Sequence, residues 1–128
     1  MMYWIRDEDT TPQRFPLKKL IQLIVQELGA SMYEFWILRA NGYGLKICEW
    51  DELLDQNDRI RVDYDLLENI SSGTEEWFYD LEVEVVAEDE LQVRFGLHDS
   101  TALYIDAPKE FSESIIESFK IVQEHTRK

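Results

Sequence analysis

The chain has 128 residues, 45 % of them hydrophobic, and a formal net charge of −14. This length suits one domain with a core large enough to fold without a metal or a disulfide, so we predict a single domain over residues 1–128. The charge disfavours nucleic-acid binding, because phosphates would repel the chain, and no stretch is apolar enough to cross a membrane.

The N-terminal part predicts a strand followed by a helix. The apolar run Met2 to Ile5 predicts a short first strand. Pro16 suits the first turn of a helix, and Gly29 suits its end. A helix is therefore predicted over 16–28. Its apolar stripe, at three- and four-residue steps, consists of Leu17, Leu20, Ile21, Ile24 and Leu28.

A hairpin is predicted next. Residues 33–40 are rich in aromatic and branched side chains on both faces, which is typical of a central strand. Asn41-Gly42 is the strongest two-residue turn signal in the chain, so we expect a return strand over 43–50. Residues 51–58 are polar and predict a connection with at most one helical turn.

The second half predicts four strands and a helix. Apolar and polar residues alternate over 59–65, 77–87 and 91–97, and residues 101–105 resume the pattern after a polar break. An apolar stripe predicts a final helix over 109–125. The strand positions expected to face the core are Ile60, Val62, Tyr64, Trp77, Tyr79, Leu81, Val83, Val85, Ala87, Leu91, Val93, Phe95 and Leu97.

Together these elements predict an α+β domain. We expect a largely antiparallel sheet of about six or seven strands, with two amphipathic helices packed on one face. The residues expected to be buried together are Ile24, Leu81, Val83, Val93, Phe95 and Phe119.

The negative charge comes from the middle of the chain. Residues 47–90 hold 16 acidic residues and only two basic ones, whereas the two flanks are nearly neutral. Some of these acids are expected to be neutralised across strands on the wet face of the sheet. The expected pairs join Arg59, Arg61 and Arg94 to Asp80, Glu82 and Glu84.

The remaining acids predict a partner-binding site. If the four strands after the predicted turn pair in sequence order, the connections 51–58 and 88–90 lie at the same end of the sheet. Clustered carboxylates beside an aromatic anchor suit a basic protein partner. The predicted site consists of Trp50, Asp51, Glu52, Asp55, Asp58, Glu88, Asp89 and Glu90. Trp50 has a second interpretation, in which it closes the end of the core.

No motif predicts catalysis. His98-Asp99-Ser100 has the residue types of a hydrolase triad, but consecutive side chains diverge, so a polar break or bulge in a strand is expected. We expect neither His98 nor Ser100 to react. Cys48 has no base beside it and is expected to be a small buried residue.

No metal or cofactor is predicted either. Residues 55–59 open like a calcium loop, but Ile60 stands where the loop needs glycine. Gly42-Tyr43-Gly44 lacks a third glycine and is expected to lie inside a hairpin rather than before a helix, so it is not a phosphate-binding loop.

Small, acidic, cysteine-poor, single-domain α+β chains resemble bacterial immunity proteins, which neutralise a cognate toxin by covering its basic active site. They also resemble class I type III secretion chaperones in the order helix, strand and helix, but the extra N-terminal strand predicted for this chain differs from that order. The resemblance implies a non-enzymatic domain that binds a basic protein partner, with toxin immunity as the leading function. The alternatives are a secretion-type chaperone and an enzyme with a carboxylate pair and a divalent metal.

The location expected from sequence is the cytoplasm. A single cysteine excludes an internal disulfide, and Met1 to Asp9 has no basic region followed by an apolar run.

Overall fold

A computed structural model describes residues 1–6, 16–29, 33–72, 75–99 and 102–125. These residues form seven strands and four helices. In chain order the elements are β1 (Met2–Ile5), α1 (Leu17–Leu28), β2 (Tyr33–Tyr43), α2 (Leu45–Leu54), β3 (Ile60–Val62), α3 (Tyr64–Ile70), β4 (Trp77–Ala87), β5 (Glu90–His98), β6 (Ala102–Asp106), α4 (Lys109–Ile116) and β7 (Val122–Glu124).

The described strands form a single sheet in the order β3-β2-β4-β5-β6-β1-β7, and every pairing is antiparallel. The predicted α+β class and antiparallel sheet are therefore confirmed. The predictions for β1, α1 and β4 match the observed bounds closely, because each has a clear apolar period and no competing signal.

One face of the sheet carries the core. Val83 of β4 lies between Ile37 of β2 and Phe95 of β5, and all three side chains are fully buried. Buried residues from each of the four described helices belong to the same core. All six residues expected to be buried together lie in it, which confirms the predicted core positions of Leu81, Val83, Val93 and Phe95 in the sheet.

The predicted hairpin at Asn41-Gly42 is wrong. β2 continues through these residues as far as Tyr43, and the pairing with β4 shifts by one residue between Asn41 and Gly42. At Gly42 a side chain would collide with the backbone of Trp77, so glycine serves close strand approach here rather than a turn.

The predicted return strand over 43–50 is wrong, because Tyr43 ends β2 and residues 45–50 are helical. Ile47 and Trp50 are buried at helical spacing, and Leu54 packs partly against the core one turn later. Residues 51–54, predicted as part of a connection, complete the same helix, α2. A short apolar run of this kind fits a strand or a helix equally well from sequence.

Two further elements were missed. The strand predicted over 59–65 ends at Val62, because the Asp63 side chain accepts a hydrogen bond from the Asp65 amide (3.2 Å) and begins α3. The final helix ends at Ile116, and Val122–Glu124 instead forms the edge strand β7 beside β1.

The predicted meander is also wrong, and this separates the two acidic connections. β3 and β4 flank β2 and both run antiparallel to it, so they run in the same direction. The connection that precedes β3 and the turn that follows β4 therefore lie at opposite ends. Ile60 and Val83 both pair with Ile37, which puts the start of β3 about 16 Å from Glu88 along the strand direction.

Two bulges change which side chains face the core. The shift near Gly42 buries Phe78 and leaves Tyr79 46 % exposed, although Tyr79 was expected inside. A second shift between Val85 and Val86 leaves Leu91 exposed, against the same expectation. One extra residue reverses the alternation beyond it, and sequence carries no mark of where that occurs.

Candidate functional site

The exposed side of α2 and the turn after it carry half of the predicted site. Asp51, Glu52, Asp55 and Asp58 are all exposed, as is Glu49. Over Leu45–Asp58, all of which the structure describes, the basic residue is Lys46. Its Nζ lies 3.3 Å from Glu49 Oε1, and Arg59 directly follows Asp58, so Asp51, Glu52 and Asp55 are the acids without an adjacent basic residue. We call Glu49, Asp51, Glu52, Asp55 and Asp58 the α2 acids.

Trp50 is not on this surface. It is 3 % exposed, and its ring stacks on Phe78 with centroids 6.4 Å apart. Its place on the buried side of α2 matches the second interpretation, in which Trp50 closes the core. The expected role of Trp50 as an aromatic anchor for a partner is therefore wrong, because an anchor must be accessible.

Three further residues of the predicted site lie at the turn between β4 and β5. Glu88, Asp89 and Glu90 are exposed. Ala87 and Glu90 pair across the hairpin, and both residues between them have positive φ, 53° at Glu88 and 63° at Asp89. This turn lies at the opposite end of the sheet from the start of β3, so the eight predicted residues do not form one patch.

A partly buried carboxylate contact fixes the start of α2. Glu76 Oε1 accepts hydrogen bonds from the backbone N–H groups of Lys46 (2.9 Å) and Ile47 (3.0 Å). These are two of the free amides of the first helical turn, where a negative charge is also favoured by the helix dipole. A side chain at Gly44, whose φ is 136°, would overlap Glu76. Glycine at position 44 thus lets Glu76 cap the helix.

Gly42-Tyr43-Gly44 precedes a helix, contrary to the expectation that it lies inside a hairpin. Its failure as a phosphate loop has a different physical reason. A phosphate site at a helix N-terminus needs free amides, and Glu76 already occupies those of Lys46 and Ile47.

A cleft of about 490 Å³ opens beside this helix start. Tyr43 is 56 % exposed and stacks on Trp77 with ring centroids 4.4 Å apart, and Leu45 is 91 % exposed. Cys48 is exposed too, so its predicted burial is wrong. The cleft is lined by Gly42, Tyr43, Gly44, Leu45, Cys48, Glu75 and Glu76.

Sequence analysis missed this cleft because it assigned residues 43–50 to a strand. As a helix, the same residues place Ile47 and Trp50 inside and leave Leu45 and Cys48 outside. If residues 45–54 had been predicted as an amphipathic helix, Leu45 would have stood out as an apolar residue on its exposed side, which is the signal for this cleft.

The predicted neutralisation of the sheet acids is confirmed at Arg94. Its guanidinium lies 2.8 Å from Glu84 and 3.9 Å from Glu82. The hydrogen bond to Glu84 raises the pKa of Arg94 further above its usual range. The predicted pairing of the other two arginines with acids of β4 is wrong, because β3 lies next to β2, and both arginines contact side chains of β2 instead. Arg61 lies 3.5 Å from Glu34, and Arg59 stacks over Trp36 at 4.2 Å.

His98 is the last residue of β5 and Asp99 follows it in a turn, so neither lies in a bulge inside a strand. Asp80 Oδ1 lies 3.3 Å from His98 Nδ1 and accepts a hydrogen bond from the Asp99 amide at 3.0 Å. That amide lowers the pKa of the Asp80 carboxyl, and Arg39 adds to the effect. These contacts tie the end of β5 to β4. Ser100 lies outside the described residues.

Within the described ranges, no three His, Cys, Asp or Glu side chains are placed to hold a metal ion. The helices of these same ranges include none that is long and apolar enough to cross a membrane.

Comparison of the chain with protein-family models, curated proteins and solved structures found no match.

Proposed function

We propose that this protein is a non-enzymatic binding domain that engages a basic protein partner through the α2 acids. The observation that carries the proposal is the exposure of Glu49, Asp51, Glu52, Asp55 and Asp58 on one helix and the turn after it. Many acids of the sheet have a basic partner or a structural hydrogen bond, as Glu84 and Asp80 do. No basic residue lies between Glu49 and Asp58; Lys46 precedes the α2 acids and Arg59 follows them.

Charge on this surface favours capture of a cationic protein. A field of one sign speeds encounter with an oppositely charged surface, and salt weakens it. The helix supports this role, because Trp50 and Ile47 hold α2 on the core while the acids remain outside. A surface that stays ordered without its partner loses less entropy on binding.

The specific role that we propose is neutralisation of a toxin in the cytoplasm. Its support is the resemblance of a small, acidic, cysteine-poor α+β chain to immunity proteins, together with the acidic helix face. A basic active site is a surface that such a face can cover.

The test uses the protein encoded next to this gene, purified and tested for binding. The α2 variant combines Asp51→Asn, Glu52→Gln and Asp55→Asn. The matched control combines Glu88→Gln, Asp89→Asn and Glu90→Gln, which removes the same charge from the β4–β5 turn. We expect the α2 variant to lower the association rate about tenfold at low salt and the control to lower it less than about threefold.

Growth provides the second measurement. A neighbouring product that kills cells when expressed alone, and is harmless when co-expressed with this protein, supports toxin immunity. A secretion effector that binds here supports the binding domain but overturns the immunity role. Absence of binding, or equal effects of the two charge variants, contradicts the α2 surface as the binding site.

A further inference from the structure

We propose that the cleft beside α2 receives an apolar side chain from a basic segment of the partner, while lysines or arginines flanking that side chain meet the acids at the rim of the cleft. This inference rests on the proposed function and adds the anchor point and its chemistry. The anchor replaces Trp50, which the fold buries.

The inside of the cleft is apolar. Leu45 is 91 % exposed, more than any other large hydrophobic residue that the structure describes. The Tyr43 ring is held in place by its stack on Trp77, and Cys48 lies on the same side. An exposed apolar surface beside a formed concavity is typical of a site that another protein covers.

The carboxylates around the cleft would attract a cation to its rim rather than to its interior. Glu76 Oε1 is engaged with the amides of Lys46 and Ile47. Glu75, in contrast, is exposed. Glu49, one position beyond Cys48 on α2, is exposed but already paired with Lys46, whereas Glu52, one turn later, is exposed. An apolar side chain inside and positive charges around it complement this distribution.

The same charges argue against other occupants. A second copy of the chain would bring acidic surfaces face to face, because each copy carries −14. Nucleic acid and anionic lipid are repelled for the same reason. A basic protein segment with one apolar residue is the occupant that satisfies both the cleft and its rim.

The probe for the test is a short amphipathic peptide of leucine and lysine, amidated at its C-terminus. Its binding to the ¹⁵N-labelled protein is followed by NMR chemical-shift changes. We expect the largest changes around Tyr43, Leu45, Cys48 and Glu75. Changes spread equally over the α2 acids and the turn at Glu88 would overturn the cleft as an anchor, since they would indicate charge attraction alone.

A pair of matched variants tests the apolar contact. Leu45→Ala removes the leucine of the cleft, and Leu91→Ala removes a leucine that is 51 % exposed beside the acids of the β4–β5 turn. We expect Leu45→Ala to weaken peptide binding about tenfold, as loss of a buried leucine side chain does, and Leu91→Ala to leave it unchanged. Both variants should keep the melting temperature of the parent, because both side chains are exposed.

The outcomes separate this inference from the function on which it rests. If Leu45→Ala binds the peptide and the neighbouring gene product as the parent does, but the α2 charge variant binds both more weakly, the cleft is not the anchor and the acidic surface stands. If neither variant changes binding of either probe, both proposals are wrong.

Discussion

Two regions of this protein are rich in exposed acidic residues but have different structural settings. The α2 acids sit on a helix that is packed on the core by Ile47 and Trp50, beside a cleft lined by Tyr43 and Leu45. The acids of the β4–β5 turn follow one another at the tip of a hairpin, on residues with positive φ. Both regions are exposed.

The difference shows that charge density does not by itself define a binding surface. Net charge steers any cationic molecule toward both regions, but it supplies little specificity. A helix face next to a concave apolar surface offers shape complementarity as well as charge. Anchor residues that fill such a concavity contribute most of the binding energy. The predictions below test whether the two regions differ as the structure indicates.

The largest effect is expected beneath the α2 acids. Trp50→Ala should destabilise the protein by about 3–5 kcal/mol, because it empties a buried site stacked on Phe78. Leu45→Ala, on the opposite side of the same helix, should change the free energy of unfolding by less than about 0.5 kcal/mol. Urea unfolding of both variants gives the comparison. A loss below about 1 kcal/mol for Trp50→Ala would mean that Trp50 does not anchor α2 to the core.

An intermediate effect is expected at the start of α2. Glu76→Ala should cost about 1–2 kcal/mol, because it leaves two helix amides without their acceptor. Glu75→Ala is the matched control, since the adjacent acid is exposed, and it should be close to neutral. Amide hydrogen exchange should quicken in α2 in the Glu76 variant and stay unchanged at the β4–β5 hairpin. Equal stability of the two variants would contradict the capping role.

Much of the fold was predictable from sequence because its central strands follow simple periods. Val83 and Phe95 were assigned to the core from alternation alone, and both are fully buried. Helix α1 was found from a stripe that begins at Leu17. Long, regular elements of this kind depend on local pattern, which a sequence displays directly.

The candidate site was predicted less well, because it depends on strand order and on turn geometry. The acids of residues 51–58 and 88–90 were placed together by a meander, but the insertion of β2 between β3 and β4 puts them at opposite ends of the sheet. The exposed cleft residue Leu45 was hidden by the strand assignment. Tertiary pairing decides the strand order, and no local pattern encodes it.

The turn signals illustrate the same limit. Asn41-Gly42, the favoured sequence for a two-residue hairpin, lies inside β2 at a bulge. The tight hairpin between β4 and β5 instead uses Glu88 and Asp89, which are poor residues for it. Glu88 and Asp89 both have positive φ, a conformation in which a side chain clashes with the backbone and which glycine adopts without a clash.

The smallest effect is expected at this turn, and it is stabilising. Combining Glu88→Asn with Asp89→Gly gives the hairpin the residues that positive φ favours, and should raise stability by about 0.5–1 kcal/mol. The matched control is Glu75→Asn combined with Glu76→Gly, which also removes two negative charges. It should destabilise the protein, because it removes the carboxylate that caps α2. Thermal unfolding at low and high salt separates charge from geometry. A gain that persists at high salt confirms the turn strain, whereas a gain that disappears there indicates relief of charge repulsion. If the gain persists at high salt, Glu88 and Asp89 occupy the turn although their backbone conformation lowers stability. Binding of the neighbouring gene product to the Glu88→Asn/Asp89→Gly variant then shows whether a partner contacts these two acids.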